Sequence, residues 1–456
     1  MSESFSGRRV VVVGAARSGM AAARLLAARG ANVTLADVRL DLPEAGSLTE
    51  QGIHVELGTH QARTFEGAEL IVLSPGVPPR QPVLDRARRA HIPMIGEVEL
   101  ASRLLQGRII AITGTKGKST TTTLVGRMLQ AAGLRAAVAG NIGAPLSAEV
   151  EGSTPDTIHV VEVSSFQLES TSTFHPWVAV LLNLSADHLD RHANLQEYAA
   201  AKAKIFANQG AGDWAVVNAD DAPAMALAAR HARAPRRLFA LDEPLDEGTV
   251  LAEGWLVERH GGEEQRLLPV EEVRLIGRHL LADVAAAVTV ARLAGADPAA
   301  ARQAAASFTG LEHALEPVMV VAGIQFVNDS KATNVESARR AIESFEGRLV
   351  PIIGGRFKGG DLRDLRPALA GRSSAVIAIG EARPVVRQAL GDMLAVVEAD
   401  TMAEAVRAGL AAAPPGGTVL LAPACASFDM FRDYAERGRV FKREVARLAE
   451  ELGGGS

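Results

Sequence analysis

A glycine-rich loop with a lysine and a serine is the strongest chemical signal in this sequence of 456 residues. The apolar run Ile109–Thr113 leads into Gly114-Thr115-Lys116-Gly117-Lys118-Ser119-Thr120, and a helical pattern follows. A nucleoside triphosphate needs N–H donors around its β-phosphate, a lysine at the β and γ oxygens and a hydroxyl on Mg²⁺. Lys118 and Ser119 fit the two side-chain roles. Ile112 replaces the first glycine of the general P-loop, so this is a shortened variant; the alternative is a helix start capped by Ser or Thr.

A second glycine turn lies near the start of the chain. Gly14-Ala15-Ala16-Arg17-Ser18-Gly19 follows the apolar run Val10–Val13 and opens a helix. Such a turn directs backbone N–H groups and the helix dipole at a phosphate. Asp37 closes the next strand, where dinucleotide-binding folds hold a ribose. Ala16 replaces the middle glycine of G-x-G-x-x-G, so the fingerprint is weak for NAD, and a tight turn that binds nothing is the alternative.

Polar residues follow two further apolar strands of the same region. Glu162 lies near the end of Ile158–Val163, and Asp187-His188-Leu189-Asp190 follows Val178–Leu184. In an open α/β sheet, ligands bind at the carboxyl ends of the strands. A carboxylate and an imidazole beside a P-loop suit Mg²⁺ and phosphate. Taken singly, each of these residues is more typical of a capping or hydrogen-bonded loop position, whereas the neighbouring P-loop favours the role at metal and phosphate.

The stretch Asn328–Asn334 leaves another apolar strand and starts a helix. A helix N-cap, at Asn334 or Thr333, explains one of its residues. It leaves Asp329 and Lys331 without a role, which favours a functional loop.

Two more loops follow strands of this last third of the chain, Gly354–Gly360 and Pro423–Ser427. Because the carboxyl ends of parallel strands meet at one edge, we expect both loops to lie beside Asn328–Asn334. Cys425 is predicted to be a packed small residue and not a nucleophile, since no histidine adjoins it.

Together these stretches resemble the Mur ligase family, which builds the peptide stem of the bacterial cell wall. The motifs match in order over essentially the whole chain. Further matching stretches are Ser74-Pro75-Gly76, Gly96–Leu100, Ser164–Glu169 and Phe428-Asp429, which follows Pro423–Ser427.

The resemblance implies a ligase for peptidoglycan precursor synthesis that uses ATP and two Mg²⁺ sites. It would add D-glutamate to UDP-N-acetylmuramoyl-L-alanine. An amine cannot displace oxygen from a carboxylate without a good leaving group, so ATP would first convert the acceptor carboxylate to an acyl phosphate. Catalysis would then be mostly positioning and charge neutralisation.

The fold implied is α/β with three domains. A Rossmann-like UDP-binding domain would span residues 1–96, and a central P-loop ATPase-like domain with a parallel sheet would span 97–308. A Rossmann-like C-terminal domain that binds the amino acid would span 309–456.

The resemblance also implies roles for individual residues. The UDP-linked substrate would contact Arg17, Ser18, Asp37, Arg39, Ser74 and Asn141. ATP would contact Gly114, Thr115, Lys116, Gly117, Lys118, Ser119, Thr120 and Asp329. The metal ligands would be Ser119, Glu162, His188 and Lys202, the last as an N-carboxylated (carbamate) lysine. D-glutamate would contact Thr333, Lys358, Ser427 and Tyr434. The catalytic residues would be Lys118, His188, Lys202 and Lys331.

The sequence departs from the family pattern on the ATP side. Lys116 stands where the family often has Asn, Leu280 and Asp283 stand where it favours Asn, and Ala314 stands where Arg normally follows His. Tyr434 replaces a usual Phe in the amino-acid site.

Three other functions remain open at this point. An NAD-linked oxidoreductase built on the first turn would leave the P-loop, Glu162 and Lys202 without a role. A UDP-sugar-binding protein that has lost ATP turnover would account for Ala314, Leu280 and Asp283. A sister ligase for another amino acid is the nearest variant.

The pattern of apolar residues predicts the strands and helices that carry these motifs. Short, unalternating runs such as Val350–Ile353 and Val376–Ile379 alternate with alanine-rich helical stretches such as Ala403–Ala412. Strands buried on both faces have this pattern, which predicts parallel sheets. The pattern restarts near Gly96 and near Phe308–Gly310. The polar region from about Pro235 to Glu272 is predicted to be a peripheral excursion.

Composition excludes several classes of protein. Hydrophobic residues make up 48% and charged residues 22%, the balance of a globular protein with ample core. The formal net charge of -5 argues against a nucleic-acid partner or an anionic membrane surface. One cysteine cannot form an intramolecular disulfide and fits a reducing compartment. The start is not typical of a secretory signal, and no stretch predicts membrane insertion. We therefore expect a cytoplasmic protein, and we expect it to be a monomer.

Overall fold

The structure is a computed structural model that describes residues 4–453 except 59, 61, 79, 186–193, 276 and 346. Its described part contains three mainly parallel sheets flanked by helices. The predicted α/β class with three domains is confirmed. The chain divides into two compact units, Met1–Val273 with Ala282–Ala306, and Arg274–Leu281 with Ser307–Ser456. The first two sheets share the first unit. The boundaries at 96 and 308 stay predictions.

The first sheet has the order β3-β2-β1-β4-β5, and all its pairings are parallel. Its strands are β1 (Arg9–Val13), β2 (Asn32–Asp37), β3 (His54–Leu57), β4 (Leu70–Leu73) and β5 (Met94–Gly96). Its helices are α1 (Arg17–Ala28), α2 (Ala45–Glu50), α3 (Asp85–Arg89) and α4 (Glu97–Ser102). The valines of β1 are buried because helices cover both faces of this central strand, as its unalternating apolar run predicts.

The second sheet has the order β14-β13-β12-β11-β10-β9-β6-β8-β7. Its strands are β6 (Arg108–Thr113), β7 (Ala136–Gly140), β8 (Ile158–Glu162), β9 (Val178–Leu181), β10 (Trp214–Asn218), β11 (Arg236–Ala240), β12 (Gly248–Ala252), β13 (Trp255–His260) and β14 (Glu263–Pro269). The helices that follow β6 in the chain are α5 (Lys118–Ala131), α6 (Ser165–Glu169), α7 (Leu195–Ala203), α8 (Ala222–His231), α9 (Arg278–Leu293) and α10 (Pro298–Ser307). The pairings from β7 to β12 are parallel.

The polar region from Pro235 to Glu272, predicted to be a peripheral excursion, contains four strands, β11–β14, which extend one edge of the second sheet. The hairpin turns are Glu253-Gly254, with φ of 49° and 78°, and Gly261-Gly262, with φ of 61° and 83°. Left-handed residue pairs of this kind connect tight antiparallel strands. Much of β14 faces solvent, so its sequence lacks the apolar run of a strand buried on both faces. The Gly-Gly pair was the available signal.

The third sheet has the order β15-β16-β20-β17-β18-β19, with only the β15–β16 pair antiparallel among the described strands. Its strands are β15 (Glu316–Val321), β16 (Ile324–Asn328), β17 (Leu349–Gly354), β18 (Ala375–Ile379), β19 (Ala395–Ala399) and β20 (Thr418–Leu421). Its helices are α11 (Val335–Glu343), α12 (Arg366–Leu369), α13 (Arg383–Leu390), α14 (Met402–Ala412) and α15 (Tyr434–Gly453).

Short 3₁₀ turns complete the described secondary structure, at Ala62–Phe65, Pro82–Leu84, Leu146–Glu149, Lys204–Phe206, Val270–Glu272, Leu362–Leu365 and Gly380–Ala382. Within the described ranges, every helix is too short or too polar to cross a lipid bilayer.

A buried carboxylate links the first two sheets. Glu97, at the start of α4, accepts hydrogen bonds from the backbone N and the hydroxyl of Ser147, both at 2.6 Å. Burial raises the pKa of Glu97, and the hydrogen bonds from Ser147 oppose that shift only in part. One hydrophobic core also runs between the sheets, from Val12 of β1 to Leu181 of β9. The first two sheets therefore share one continuous packed core within the first unit.

Candidate active site

A cleft of about 480 Å³ opens at the carboxyl ends of β1, β2 and β4. It is lined by Gly14, Ala16, Arg17, Ser18, Asp37, Arg39, Ser74, Pro75, Gly76, Val77, Gly140, Asn141, Gly143, Pro145 and Gln167. All six residues predicted to bind the UDP-linked substrate lie in this lining. Five of them lie at the ends of β1, β2 and β4 of the first sheet, and Asn141 follows β7 of the second sheet. Their role in binding stays a prediction.

Asp37 is a charged group of the cleft that several hydrogen bonds hold in place. Its carboxylate accepts hydrogen bonds from Ala15 N at 2.5 Å and from Arg39 Nε and Nη2 at 3.1 and 3.2 Å. Burial acts to raise the pKa of Asp37, but the hydrogen bonds from Arg39 and Ala15 outweigh it and hold the pKa below its usual value. The carboxylate therefore stays ionised and fixes the Arg39 guanidinium, a suitable donor for a phosphate or a nucleobase carbonyl.

The first glycine turn is packed too tightly for larger residues. Ser74 Oγ donates to Gly14 O at 2.8 Å. A Cβ atom on Gly19 would overlap Gly14 O and would stand 2.5 Å from Ser74 Oγ. Arg17, in the first turn of α1, donates from Nη2 to Gly143 O at 2.7 Å. The first turn of α1 contains no acidic residue, so its positive dipole end is available to an anion.

The P-loop connects β6 to α5, as predicted. Gly117 has a φ of 82° and forms the N-cap of α5, a left-handed conformation that favours glycine. The loop is braced by Asn183, which the sequence did not single out. Asn183 Oδ1 accepts from Thr115 N at 3.0 Å and from Lys116 N at 2.9 Å. The signal for Asn183 was its place just after β9, beside the loop.

Two predicted catalytic lysines meet at one carbonyl of this loop. Lys118 Nζ donates to Gly114 O at 3.0 Å and to Thr115 O at 2.9 Å. Lys202 Nζ donates to Gly114 O at 2.7 Å and lies 4.6 Å from the centre of the Tyr198 ring. Lys202 is buried. Both ammonium groups are therefore held where a phosphate bound by the loop would lie.

A carboxylate with one unused oxygen lies beside the loop, at the end of β8. Glu162 Oε1 accepts from Asn141 Nδ2 at 2.7 Å. Glu162 Oε2 is buried and has no hydrogen-bond partner among the described residues. A buried carboxylate oxygen without a partner fits a ligand of Mg²⁺. Ser119, in the first turn of α5, offers the hydroxyl expected in a P-loop site. His188, the remaining predicted metal ligand, lies outside the described residues.

Asp283 faces the P-loop. A Cβ atom on Gly117 would overlap Asp283 Oδ1 and would stand 2.7 Å from its Cγ. Burial raises the pKa of Asp283 to about 8, while the Lys118 ammonium and the Thr121 hydroxyl act in the opposite direction. Its Oδ2 has no hydrogen-bond partner in the described part of the chain. At neutral pH the carboxyl is therefore mostly protonated, and it carries little of the negative charge that its position would otherwise bring to a polyanion.

The second unit contains the predicted amino-acid residues, on loops at the carboxyl edge of the third sheet. Ala424 N donates to Ala332 O at 2.9 Å, and Gly354 N donates to Pro423 O at 2.9 Å. Arg356 and Ala426 form an isolated antiparallel bridge. The three loops 328–334, 354–360 and 423–427 are thus joined by backbone hydrogen bonds, as their positions after parallel strands predicted.

Within these loops the predicted residues differ in exposure. Lys331 and Lys358 are exposed, and Thr333 is half-buried. Ser427 is buried, and Tyr434 at the start of α15 is 40% exposed. Their placement at one sheet edge agrees with an amino-acid site, but their roles stay predictions.

Three residues of these loops have structural contacts that the structure shows directly. Asn334 is the N-cap of α11 and accepts from Ser337 N at 2.8 Å. Asp329 Oδ1 accepts from Leu315 N at 3.2 Å. Cys425 is buried, and burial raises the pKa of its thiol to about 12. The prediction that Cys425 is a packed residue is consistent with this burial.

Two of the departures from the family pattern fall in the second unit. Leu280 packs against the apolar core that contains Val327 and Leu420. Ala314 lies between His313 and Leu315, whose φ angles of 67° and 45° are left-handed. Such angles are uncommon outside glycine and mark a loop held by its surroundings.

Comparisons with known proteins agree with this arrangement. A model described as "Mur ligase MurD-like, N-terminal domain" matches residues 8–96. A model described as "Mur ligase middle domain" matches residues 112–291, and one described as "Mur ligase, glutamate ligase domain" matches residues 313–425.

Similar curated proteins cover nearly the whole chain. The UDP-N-acetylmuramoylalanine--D-glutamate ligase of Acidobacterium capsulatum is 46% identical over 448 residues, 96% of each chain. The protein of the same name from Geobacter metallireducens is 44% identical, over 97% of this chain and 98% of its own.

Solved structures show the same fold at lower identity. UDP-N-acetylmuramate-alanine ligase MurC from Thermotoga maritima matches with a TM-score of 0.59 at 18% identity, over 98% of this chain and 100% of that one. MurF ligase from Thermotoga maritima, in complex with ADP, matches with a TM-score of 0.59 at 15% identity, over 99% and 98%. Because these relatives are more than 40% identical to it over almost its full length, this chain belongs to the Mur ligase family, among the UDP-N-acetylmuramoylalanine--D-glutamate ligases.

Proposed function

We propose that this chain is an ATP-dependent ligase that adds D-glutamate to UDP-N-acetylmuramoyl-L-alanine during synthesis of peptidoglycan precursors. The observation that carries the proposal is the hydrogen bond of 2.7 Å between Asn141 and Glu162. It joins the cleft lined by all six UDP-binding candidates to the carboxylate beside the P-loop. An acceptor held in that cleft and a triphosphate held by the loop would therefore share one centre. Relatives named for this reaction support it.

In this proposal the P-loop residues position the γ-phosphate for attack by the acceptor carboxylate. The new O–P bond gives an acyl phosphate as the bond to ADP breaks. The amine of D-glutamate then attacks the acyl carbon, the tetrahedral intermediate collapses, and inorganic phosphate and a proton are released. Lys118 offsets the charge on the transferred group, and Lys331 serves the reaction centre. Two Mg²⁺ ions held by Ser119, Glu162, His188 and Lys202 would supply further charge neutralisation.

Lys202 is proposed to act as a carbamate. A buried ammonium group is an unsuitable neighbour for two metal ions, whereas a carbamate is an anionic oxygen ligand. The neutral Nζ would attack CO₂, form an N–C bond and release one proton. Lys202 is buried beside the P-loop, which supports a role at the phosphate centre.

The amino-acid half of the site is proposed to lie in the second unit. Lys358 and Ser427 would bind the side-chain carboxylate of D-glutamate by charge-assisted hydrogen bonds, with Thr333 and Tyr434 completing the contacts. Asp329 would serve the nucleotide. We also propose a cytoplasmic location and a monomeric state, and light scattering after size-exclusion chromatography tests the latter.

Phosphate release across a panel of UDP-muramoyl acceptors and amino acids tests the proposed function. We expect release with UDP-N-acetylmuramoyl-L-alanine and D-glutamate to exceed that with every other pair. Equal activity with L-glutamate, L-alanine or diaminopimelate would overturn the amino-acid assignment. Absence of ATP turnover with every acceptor would instead favour a UDP-sugar-binding protein.

A further inference from the structure

A fully buried arginine lies next to the predicted amino-acid site. Arg437, one turn after Tyr434 in α15, is 0% exposed. A guanidinium removed from water is costly unless it is paired, and a carboxylate is its usual partner. Among the described residues no carboxylate is hydrogen-bonded to it, and Asp429 acts on it only through its field. The cost of burial must be offset in another way.

The partners of Arg437 are uncharged and lie on two loops. Its Nε donates to Ser330 Oγ at 2.9 Å, its Nη2 donates to Ser330 O at 2.8 Å, and its Nη1 donates to Cys425 O at 3.1 Å. Ser330 immediately precedes the predicted catalytic Lys331. Cys425 is two residues before Ser427, a predicted ligand of D-glutamate. One guanidinium thus joins both loops.

The hydrogen bonds around Arg437 also reach the start of α15. Ser330 Oγ accepts from Arg437 Nε and donates to Tyr434 O at 2.7 Å, so this hydroxyl bridges Arg437 and the start of α15. Ala424, beside Cys425, has a φ of 57°, a left-handed conformation that costs energy without glycine. The hydrogen bonds at Ala424 N and Cys425 O flank this residue and hold it.

The charge of Arg437 also lies close to where anions are expected. The positive charges of Arg437 and Lys358 both act to lower the pKa of the Cys425 thiol, whereas the negative charge of Asp429 acts to raise it. Asp429 Oδ2 is engaged by Glu381 N at 2.9 Å. Of these three charges Arg437 has the largest effect on the thiol, so its field adds to that of Lys358 and offsets that of Asp429 beside the predicted site for a dicarboxylate amino acid.

We propose that Arg437 is a positioning residue for the amino-acid half of the reaction. It fixes the loops that carry Lys331 and Ser427 together with the start of α15, and it adds positive potential for the incoming carboxylates. The inference rests on the proposed function. It predicts that loss of the guanidinium affects the KM for D-glutamate far more than the KM for ATP.

Steady-state kinetics with each substrate varied in turn test this. We expect Arg437→Ala to raise the KM for D-glutamate by about tenfold or more, with the KM for ATP changed less than about twofold. Added guanidinium chloride, compared with NaCl at equal concentration, should partly restore the KM of Arg437→Ala. Arg437→Lys, which keeps the charge, should lie between the wild type and Arg437→Gln. These two variants, closer in size, give the comparison if a thermal melt shows Arg437→Ala to be unfolded.

The matched control is Arg447→Ala on the same helix, whose exposed guanidinium lies 3.2 Å from Glu451. It should leave every KM unchanged. If all KM values rose equally and guanidinium gave no rescue, Arg437 would have a purely structural role and the inference would be wrong. Unchanged kinetics in Arg437→Ala would also overturn it. A wild-type protein inactive with D-glutamate would overturn the proposed function itself, and the inference with it.

Discussion

Asp283 and Gly117 are in contact, although 166 positions separate them in the sequence: the buried carboxyl group of Asp283 fills the space in which a side chain on Gly117 would lie. Gly117 is therefore required at the P-loop both by its left-handed φ and by this neighbour. The contact places an ionisable group against the phosphate-binding loop, and its protonation then matters for stability.

Asp283→Asn should stabilise the protein increasingly as pH rises from about 4 to about 8. The pKa of Asp283 is about 8 in the folded protein and about 3.9 when unfolded. Below pH 4 both states are protonated, so Asp283 imposes no ionisation cost. Between these values the folded state retains a proton that the unfolded state has lost, so stability falls by up to about 1.4 kcal/mol per pH unit. Above pH 8 the cost is constant.

Urea denaturation of wild type and Asp283→Asn from pH 5 to pH 8.5 measures this difference, with pH values chosen to bracket the folded pKa. The exposed Asp246 provides the control variant Asp246→Asn. Parallel stability curves for wild type and Asp283→Asn would show that Asp283 ionises normally.

Lys118→Ala should abolish phosphate transfer and preserve the fold. In its hydrogen bonds to Gly114 and Thr115, Lys118 Nζ meets uncharged carbonyls, so the loss of these bonds should cost little stability. Loss of a charge clamp on a transferred phosphoryl group typically lowers kcat by about 10²- to 10³-fold or more. Phosphate release and thermal melts measure the two effects, with Arg127→Ala on the same helix as control. Wild-type turnover in Lys118→Ala would remove the P-loop assignment.

Lys202→Ala should be nearly inactive and partly restored by acetate or formate. A small carboxylate can occupy the space of the missing side chain and replace the carbamate oxygens as a metal ligand. Activity titrations with each anion, against chloride at equal ionic strength, measure the restoration. Intact-protein mass spectrometry under CO₂ should show the added mass on the wild type only. The carbamate would be refuted if Lys202→Ala were fully active and the wild-type protein showed no added mass on Lys202.

Ala314→Arg should change the KM for ATP by less than about threefold, whereas Lys116→Ala or Arg278→Ala should raise it by about tenfold. We expect this because another cation would take the place of the Arg that normally follows His in the family. Lys116 lies in the P-loop itself, with its backbone N held by Asn183. Initial rates at varied ATP concentration decide between the possibilities. A rise of about tenfold in kcat/KM for Ala314→Arg (about 1.4 kcal/mol) would show that compensation is absent.

Local signals were sufficient for most of the architecture. The P-loop, the first glycine turn and Asn328–Asn334 each begin where an apolar strand ends, and the structure places them there. The six UDP-binding candidates came from a family resemblance, and loops of the first two sheets bring them together in one cleft. The predicted parallel direction of the strands made a common edge foreseeable, because parallel strands have their carboxyl ends on the same side of the sheet.

The parts that could not be predicted depend on contacts between distant residues. Asn183 braces a loop 67 positions away, and Arg437 bonds Ser330 across 107 positions. Neither contact leaves a local pattern, since each side chain could equally have faced solvent. The strands β11–β14 were missed for a different reason. They lie at the edge of the sheet, and their exposed faces replace the apolar run with polar residues.

The burial of Cys425 makes the chain a convenient background for labelling chemistry. It is the sole cysteine of the sequence, and a thiol with a pKa of about 12 reacts negligibly with maleimides at neutral pH. Cysteines introduced at exposed positions such as Leu40, which is 89% exposed, could therefore carry fluorophores without removal of the native one. Conversely, slow modification of Cys425 would report opening events of the third sheet, since the thiolate can form only when that core admits water.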